Sequence, residues 1–192
     1  MNRISRIAVN WVLFIIVSLA VLAVPLYMIA RAEGILTKGN VYLFKVVPRD
    51  PYDPFRGRYL NISVEQNYVA GKDKDFRQGK LCYAVLNKDK YGYAFLSDLL
   101  DAPPANGDYI RVRYRWYDDK RNLINLPFGK YFVNEKIAPV AEKVVADFIK
   151  DPKKACVLKV RVKGGEALVE GLLLDGKPVE EVVKAKMQKS SE

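Results

Sequence analysis

The first long hydrophobic segment runs from Ile7 to Ala30 and contains no charged residue. Spanning a bilayer takes about 20 apolar residues, whereas the apolar core of a signal peptide usually has only about 7–15. The pattern therefore predicts an uncleaved transmembrane helix. The alternative is cleavage after the small-residue sequence Ala30-Arg31-Ala32, which would release the rest of the chain.

Charges on either side of this run predict its orientation. Arg3, Arg6 and the free amine precede it, while Arg31, Glu33 and Lys38 nearly cancel after it. Positive charge stays on the cytoplasmic side, so we expect the cytoplasmic (inner) membrane with the C-terminal domain outside, periplasmic or extracellular. The predicted divisions are a cytoplasmic tail (1–6), an anchor (7–30), a linker (31–40) and an exported domain (41–192).

Beyond the anchor the apolar positions alternate with polar ones. In Arg58–Gln66, for example, Leu60, Ile62 and Val64 point one way and their neighbours the other, which is typical of antiparallel strands with one buried face. The predicted strands are Val41–Val47, Arg58–Gln66, Leu81–Asn87, Tyr91–Leu96, Asp108–Tyr117, Leu123–Val133, Cys156–Lys163 and Glu166–Leu174.

Two segments have helical spacing instead. Pro139 to Lys150 places Val140, Val144 and Phe148 on one stripe, and Pro suits a first helical turn. A shorter helix is predicted at Val179–Gln188. The fold class is therefore α+β: one N-terminal transmembrane helix followed by a mostly antiparallel β-rich domain with one or two short helices.

Composition narrows the chemistry. The 192 residues include no His, which excludes Ser-His-Asp and Cys-His mechanisms. Cys82 and Cys156 lack CxxC spacing, so neither a metal site nor a cofactor is indicated; they form either an exported disulfide or two buried thiols. The net charge of +10 comes without any nucleic-acid-binding motif, so we expect no nucleic-acid partner. A net positive charge is also compatible with binding to anionic lipid or polysaccharide.

Two strands carry basic ladders. Arg111, Arg113 and Arg115 alternate with apolar residues, which places three guanidinium groups about 6.8 Å apart on the outer face. The strand that follows, Leu123–Val133, supplies no carboxylate before Glu135, so this ladder either meets an acid from a non-adjacent strand or binds an anionic partner.

Lys159, Arg161 and Lys163 repeat the pattern in a second ladder. A two-residue turn at Gly164-Gly165 would place Lys163 opposite Glu166, and Lys159 opposite Glu170. We therefore interpret the second ladder as structural.

The strand with the first ladder also predicts a register. Tyr114 and Trp116 share the buried face, and Asp108 is expected to begin the strand and cap the preceding Pro-rich turn. A three-residue loop, Asp119 to Arg121, would pair Asp118 with Asn122 and Arg115 with Asn125.

The stretch DPYDPFRGRYLNI, beginning at Asp50, has the composition of a stiff corner. Its prolines restrict the backbone, and Arg56 and Arg58 can each form a forked pair with Asp50 or Asp53. Gly57 permits a positive φ. A structural corner is the main interpretation, with binding of an anion or a partner as the alternative; nearby Arg would keep both carboxylates ionised, which disfavours acid–base catalysis.

Gly107 to Tyr114 reads GDYIRVRY, which resembles the signature of the GDYXXLXY family with Val112 in place of Leu. DPYDPFRGRYL, PFGKYFVNEKIAPVAEK and ALVEGLLLDGKPV resemble its other recurrent stretches in the same order. The resemblance implies a membrane-anchored bacterial protein without an established activity, often encoded near polytopic membrane proteins. It supplies no catalytic residues. The shared features that it implies are Asp53, Arg56, Gly57, Arg58, Gly107, Asp108, Tyr109 and Tyr114.

We therefore expect a single-pass membrane-anchored accessory or interaction protein, with the membrane and a polytopic membrane protein as partners. One alternative is an anchored Ser/Lys hydrolase, for which Ser63 is the first candidate nucleophile. The other is an anionic glycan- or lipid-binding module that uses Arg111, Arg113 and Arg115.

Overall fold

A computed structural model of the chain describes residues 3–47, 59–135, 137–151 and 154–189. The chain divides between Lys38 and Gly39 into two compact units. The first is one helix, α1 (Arg3–Lys38), which continues past Pro25 and past the end of the predicted anchor. Its apolar window has a mean hydropathy of 2.8, and its length and composition suffice to cross a membrane; a signal sequence would meet the same criteria.

The second unit begins at Gly39 and contains the strands and the two shorter helices. In chain order they are β1 (Asn40–Val47), β2 (Tyr59–Asn61), β3 (Ser63–Val64), β4 (Tyr68–Ala70), β5 (Leu81–Lys88), β6 (Ala94–Leu100), β7 (Tyr109–Asp118), β8 (Arg121–Asn125), β9 (Lys130–Phe132), α2 (Ala138–Lys150), β10 (Cys156–Lys163), β11 (Glu166–Leu174), β12 (Lys177–Pro178) and α3 (Val179–Lys189).

The strands form two five-stranded sheets and one separate pair. Sheet 1 has the order β12-β11-β10-β1-β3, sheet 2 has the order β4-β8-β7-β5-β6, and β2 pairs with β9. Neighbouring strands run antiparallel. One hydrophobic core takes side chains from both sheets and from α2 and α3. The predicted α+β class with a β-rich antiparallel domain is confirmed.

The predicted strand from Arg58 to Gln66 is wrong as one element. Leu60, Ile62 and Val64 are buried on one face, as predicted, but β2 pairs with β9 while β3 pairs with β1. Between them the Ile62 N–H donates to the Gly129 carbonyl at 2.9 Å. The segment thus keeps its buried face while it changes partners.

Leu123–Val133 is also two strands, not one. β8 ends at Asn125 and β9 begins at Lys130. Pro127 lies in the connection, and a residue without a backbone N–H cannot contribute to a central ladder. β8 belongs to sheet 2 and β9 pairs with β2, so the break is again where the chain leaves one sheet.

The strand predicted to begin at Tyr91 begins three residues later, as β6. Asp89 accepts hydrogen bonds at 2.8 Å from the backbone N–H groups of Tyr91 and Tyr93. Gly92 between them has a φ of +85°. The Asp side chain therefore holds these residues in a turn.

Both short helices lie where their spacing predicts. α2 buries Ala141, Val144 and Val145, and α3 buries Val179 and Val183. Each helix places its apolar stripe in the core, as an amphipathic helix does.

The two cysteines are buried free thiols. Burial raises the pKa of Cys156 to about 12. Burial, opposed in part by Lys80, also raises the pKa of Cys82. Since the thiolate is the reactive form, neither thiol is activated.

We expect both cysteines to resist alkylation in the native protein and to react after unfolding. A raised pKa removes roughly a factor of ten in thiolate per unit, and burial excludes the reagent. Maleimide labelling of the full chain at pH 8, followed by intact mass, should give no adduct without denaturant and two adducts with it. No labelling in denaturant unless reductant is added would instead show a disulfide.

Candidate functional site

The second basic ladder is neutralised within its own sheet. Lys163 lies opposite Glu166, as predicted. Glu170 accepts from Lys159 Nζ at 2.6 Å and from Arg161 Nε at 2.5 Å. Arg161, followed by Lys159, holds the pKa of the Glu170 carboxyl below its usual range. A bulge places Gly171 rather than Glu170 directly opposite Lys159, but the ion pair forms, so the structural interpretation is confirmed.

The three arginines of the first ladder have different surroundings. Arg111 donates to the Gly164 carbonyl at 3.0 Å and Arg113 to the Gly79 carbonyl at 3.2 Å. The Arg115 guanidinium lies over the Trp116 ring at 4.2 Å. Within the described parts of the chain none of the three forms an ion pair with a carboxylate. Each fork has five N–H donors, so all three keep binding capacity.

The predicted register of this strand is wrong. β7 and β8 are joined by two residues, Asp119 and Lys120, so Asp118 pairs with Arg121 rather than with Asn122. Both turn residues have positive φ, +46° and +59°. This is type I′ geometry, which usually requires Gly or Asn. The sequence Asp-Lys gave no signal for it.

A bulge at Arg115 compensates for the shorter turn. Tyr114 pairs with Ile124, and Trp116 pairs with Leu123, which leaves Arg115 as the extra residue. The predicted pair of Arg115 with Asn125 therefore does not form. Tyr114 is 4% exposed, as predicted for a core residue, but Trp116 is 43% exposed. The extra residue shifts the alternation by one, so Trp116 leaves the buried face.

The Tyr114 hydroxyl forms a hydrogen bond with the Asp73 side chain. Burial, followed by the Asp73 carboxylate, raises the pKa of Tyr114. Phe76 packs edge-on against the same ring, with centroids 5.8 Å apart. The last aromatic of the signature is therefore held by packing and is not presented to a ligand.

Asp108 connects the two sheets. Its Oδ2 accepts from Asn40 Nδ2 at 2.6 Å and from the Tyr42 hydroxyl at 2.8 Å. Burial, and then the hydrogen bond to Asp108, raises the pKa of Tyr42 well above its usual range. β7 begins at Tyr109, not at Asp108, and the carboxylate contacts β1 rather than capping the preceding turn. The expected cap is therefore wrong.

The next signature residues contact the β10–β11 turn. The Arg111 N–H donates to the Gly165 carbonyl at 2.9 Å, and Ile110 bridges to Gly165. A Cβ at Gly165 would overlap the Tyr109 ring and lie 3.1 Å from Arg111 Cγ. Tyr109 and Arg111 thus share one face, and only Gly permits this approach.

We call these contacts the inter-sheet latch. Its residues are Asp108, Tyr109 and Arg111 from the β7 side, and Asn40, Tyr42, Gly164 and Gly165 from sheet 1. The sequence predicted the β7 residues and the Gly-Gly turn, but not that they meet. Asn40 and Tyr42 were missed, since a residue at the start of a strand carries no signal for its partner in another sheet.

A groove of about 840 Å³ opens beside the latch. It lies between β3, the segment from the end of β8 through β9, and the first half of β11. Its lining residues are Ile62, Ser63, Val64, Asn67, Arg115, Ile124, Asn125, Leu126, Pro127, Phe128, Gly129, Lys130, Phe132, Ala167, Leu168 and Val169.

The groove combines apolar walls with two cations. Arg115 and Lys130 line it, and no Asp or Glu is among its described lining residues. Ser63 lines the same groove, but its hydroxyl makes no hydrogen bond with any described residue. A Ser/Lys nucleophile needs that bond for activation, so the described geometry does not assemble this pair.

The predicted corner lies outside the described residues, with Asp50, Asp53, Arg56, Gly57 and Arg58. Its interpretation stays a prediction. In the described ranges, no group of three or more Cys, Asp or Glu could hold a metal ion.

A family model described as GDYXXLXY protein matches residues 21–172. The chain belongs to the GDYXXLXY family. No curated protein and no solved structure matches it significantly. The matched range contains the whole inter-sheet latch and every lining residue of the groove, so both are parts of a GDYXXLXY domain.

Gly164 and Gly165 both have positive φ. The latch predicts that their substitution by Ala lowers the free energy of unfolding by different amounts. Gly164→Ala adds a Cβ in open space, so it should cost only the backbone penalty, roughly 1–2 kcal/mol. Gly165→Ala also forces the Tyr109 ring to move, and overpacking of this kind typically adds about 1–3 kcal/mol. Urea unfolding of the full chain in mild detergent measures both values.

A double-mutant cycle tests whether the Tyr109 ring causes the extra cost of Gly165→Ala. In a Tyr109→Ala background the cost of Gly165→Ala should fall toward that of Gly164→Ala, since the clashing ring is gone. Equal costs for the two glycine variants in the parent chain would contradict the latch.

Proposed function

We propose that this GDYXXLXY protein is a single-pass accessory protein of the cytoplasmic membrane, whose domain from Gly39 lies outside and binds a polytopic membrane protein. The observation that carries the proposal is α1. Its large apolar side chains from Trp11 to Ile29 are each more than half exposed. Exposed apolar surface of this extent indicates a lipid or protein environment.

The orientation is supported by the charges around the helix. Arg3 and Arg6 precede the uncharged run, and the charges that follow it nearly cancel. The positive-inside rule then leaves the N-terminus in the cytoplasm. A domain attached in this way lies at the outer face of the cytoplasmic membrane, where the outer loops of polytopic proteins also lie.

The groove supports binding more than hydrolysis. It presents cations, amides and apolar surface together, which is the composition of a recognition surface with a few orienting polar groups. Ser63 is the candidate nucleophile of the hydrolase alternative, and its hydroxyl makes no hydrogen bond with any described Lys.

The anionic glycan- or lipid-binding alternative retains one supporting observation. No described carboxylate neutralises Arg111, Arg113 or Arg115. Two of these three, however, already donate to backbone carbonyls. The ladder therefore has fewer N–H donors available to a ligand than the sequence pattern indicates.

The topology is tested by protease treatment of intact spheroplasts. Protease added outside should digest the domain and leave a membrane-embedded N-terminal fragment, because the domain is exposed on that face. Digestion that occurs only after lysis would contradict the orientation. A mature N-terminus at Glu33, with the chain in the soluble fraction, would contradict the anchor.

The partner is tested by purification from gently solubilised membranes after cross-linking. The full chain should retain one protein with several membrane spans in stoichiometric amount. A matched control keeps residues 1–38 and replaces the domain by an unrelated folded domain; it should lose that protein. Retention by the control would show that the domain is not the interaction module.

A further inference from the structure

Ala167, Leu168 and Val169 of β11 pair, among the described strands, with β10 alone, and all three line the groove. The turn at Gly164-Gly165 has φ values of +57° and +82°, and Lys163 pairs with Glu166 across it. In a two-residue turn of this type the flanking pair exchanges hydrogen bonds, and bonded and non-bonded pairs then alternate. Ala167 and Val169 therefore direct their N–H and C=O groups away from β10.

No described strand covers this edge. β12 pairs with β11 only at Leu173 and Leu174. Ala167, Leu168 and Val169 all line the groove. The groove wall thus presents backbone donors and acceptors with the spacing of a β-strand, which is the arrangement that extended peptides use when they add to a sheet.

Arg115 supplies positive charge to the groove. The bulge makes it the extra residue of β7, and bulges re-aim side chains. Its guanidinium rests on the Trp116 ring at 4.2 Å, and it makes no hydrogen bond to a described residue. Arg115 lines the groove, whereas Arg111 and Arg113 do not. A held cation without an acceptor among the described residues is complementary to a carboxylate.

We propose that this groove binds an extended acidic peptide segment of a protein partner, which pairs with the β11 edge at Ala167 and Val169 and places a carboxylate on Arg115. The inference rests on the proposed function and names the chemistry of the partner. Alternating acidic and apolar residues fit best, since a strand sends successive side chains to opposite faces. A lipid chain would leave the backbone groups of β11 without partners.

The test uses the full chain in nanodiscs of neutral phosphatidylcholine and fluorescently labelled decapeptides. The probe alternates Val with Asp; a second peptide alternates Val with Lys. A third keeps the Val–Asp sequence but is N-methylated at every residue, which removes the backbone donors of both edges. We expect binding of the first peptide, measured by fluorescence anisotropy, and at least about tenfold weaker binding of the other two.

The protein variants separate the groove from general charge. Arg115→Gln should weaken Val–Asp binding about tenfold, the size expected for one charge-assisted hydrogen bond. Arg77→Gln is the matched control, because Arg77 is exposed and lies outside the groove lining; its affinity should stay within about twofold of the parent's. Arg113→Gln should behave like the control.

Three results would overturn the proposal. Equal losses for Arg115→Gln and Arg77→Gln would indicate non-specific attraction to a basic protein. Undiminished binding of the N-methylated peptide would exclude strand addition. Displacement of the peptide by vesicles of phosphatidylglycerol, but not of phosphatidylcholine, would assign the site to lipid. None of these outcomes affects retention of the polytopic protein by the domain, so the proposed function can stand or fail separately.

Discussion

The hydrogen bond from the Arg111 N–H to the Gly165 carbonyl is the contact on which the arrangement of the two sheets depends. β8 pairs with β7 only from Arg113 onward, so the earlier part of β7 has a vacant side. The β10–β11 turn fills it. Because a side chain at Gly165 would meet the Tyr109 ring, the approach requires Gly, and the position of the turn sets that of β11 and of the groove beside it.

This contact divides the signature GDYIRVRY by role. Asp108 and Arg111 bind sheet 1, Tyr109 packs on the turn, and Tyr114 lies in the core. The motif that identifies the family is therefore first a device that joins two sheets. None of the signature residues from Gly107 to Tyr114 is among the described lining residues of the groove, whereas Arg115, immediately after the signature, does line it. A motif of this kind marks the fold, while the groove proposed for recognition lies at its border.

The sequence correctly predicted which face of a strand is buried, but it did not predict which strands pair with each other. Alternation along Leu60, Ile62 and Val64 correctly indicated burial, because the side-chain period of a strand is independent of its neighbour. It could not indicate that β2 and β3 belong to different sheets. In the same way, the ion pair of Lys159 with Glu170 followed from a local Gly-Gly turn. The predicted register of β7 with β8 was wrong, because their turn lacks the usual residues.

The sequence by itself determined the apolar helix, the α+β class, both short helices, the structural second ladder and the family. Each depends on local periodicity, local charge or a contiguous motif. Tertiary structure alone decided that Asp108 meets Tyr42, that a bulge separates Arg115 from its ladder, and that no described strand other than β10 pairs with β11 at Ala167 to Val169. These features depend on which distant strands pack together, and that choice results from burial of one shared core, which no short segment encodes.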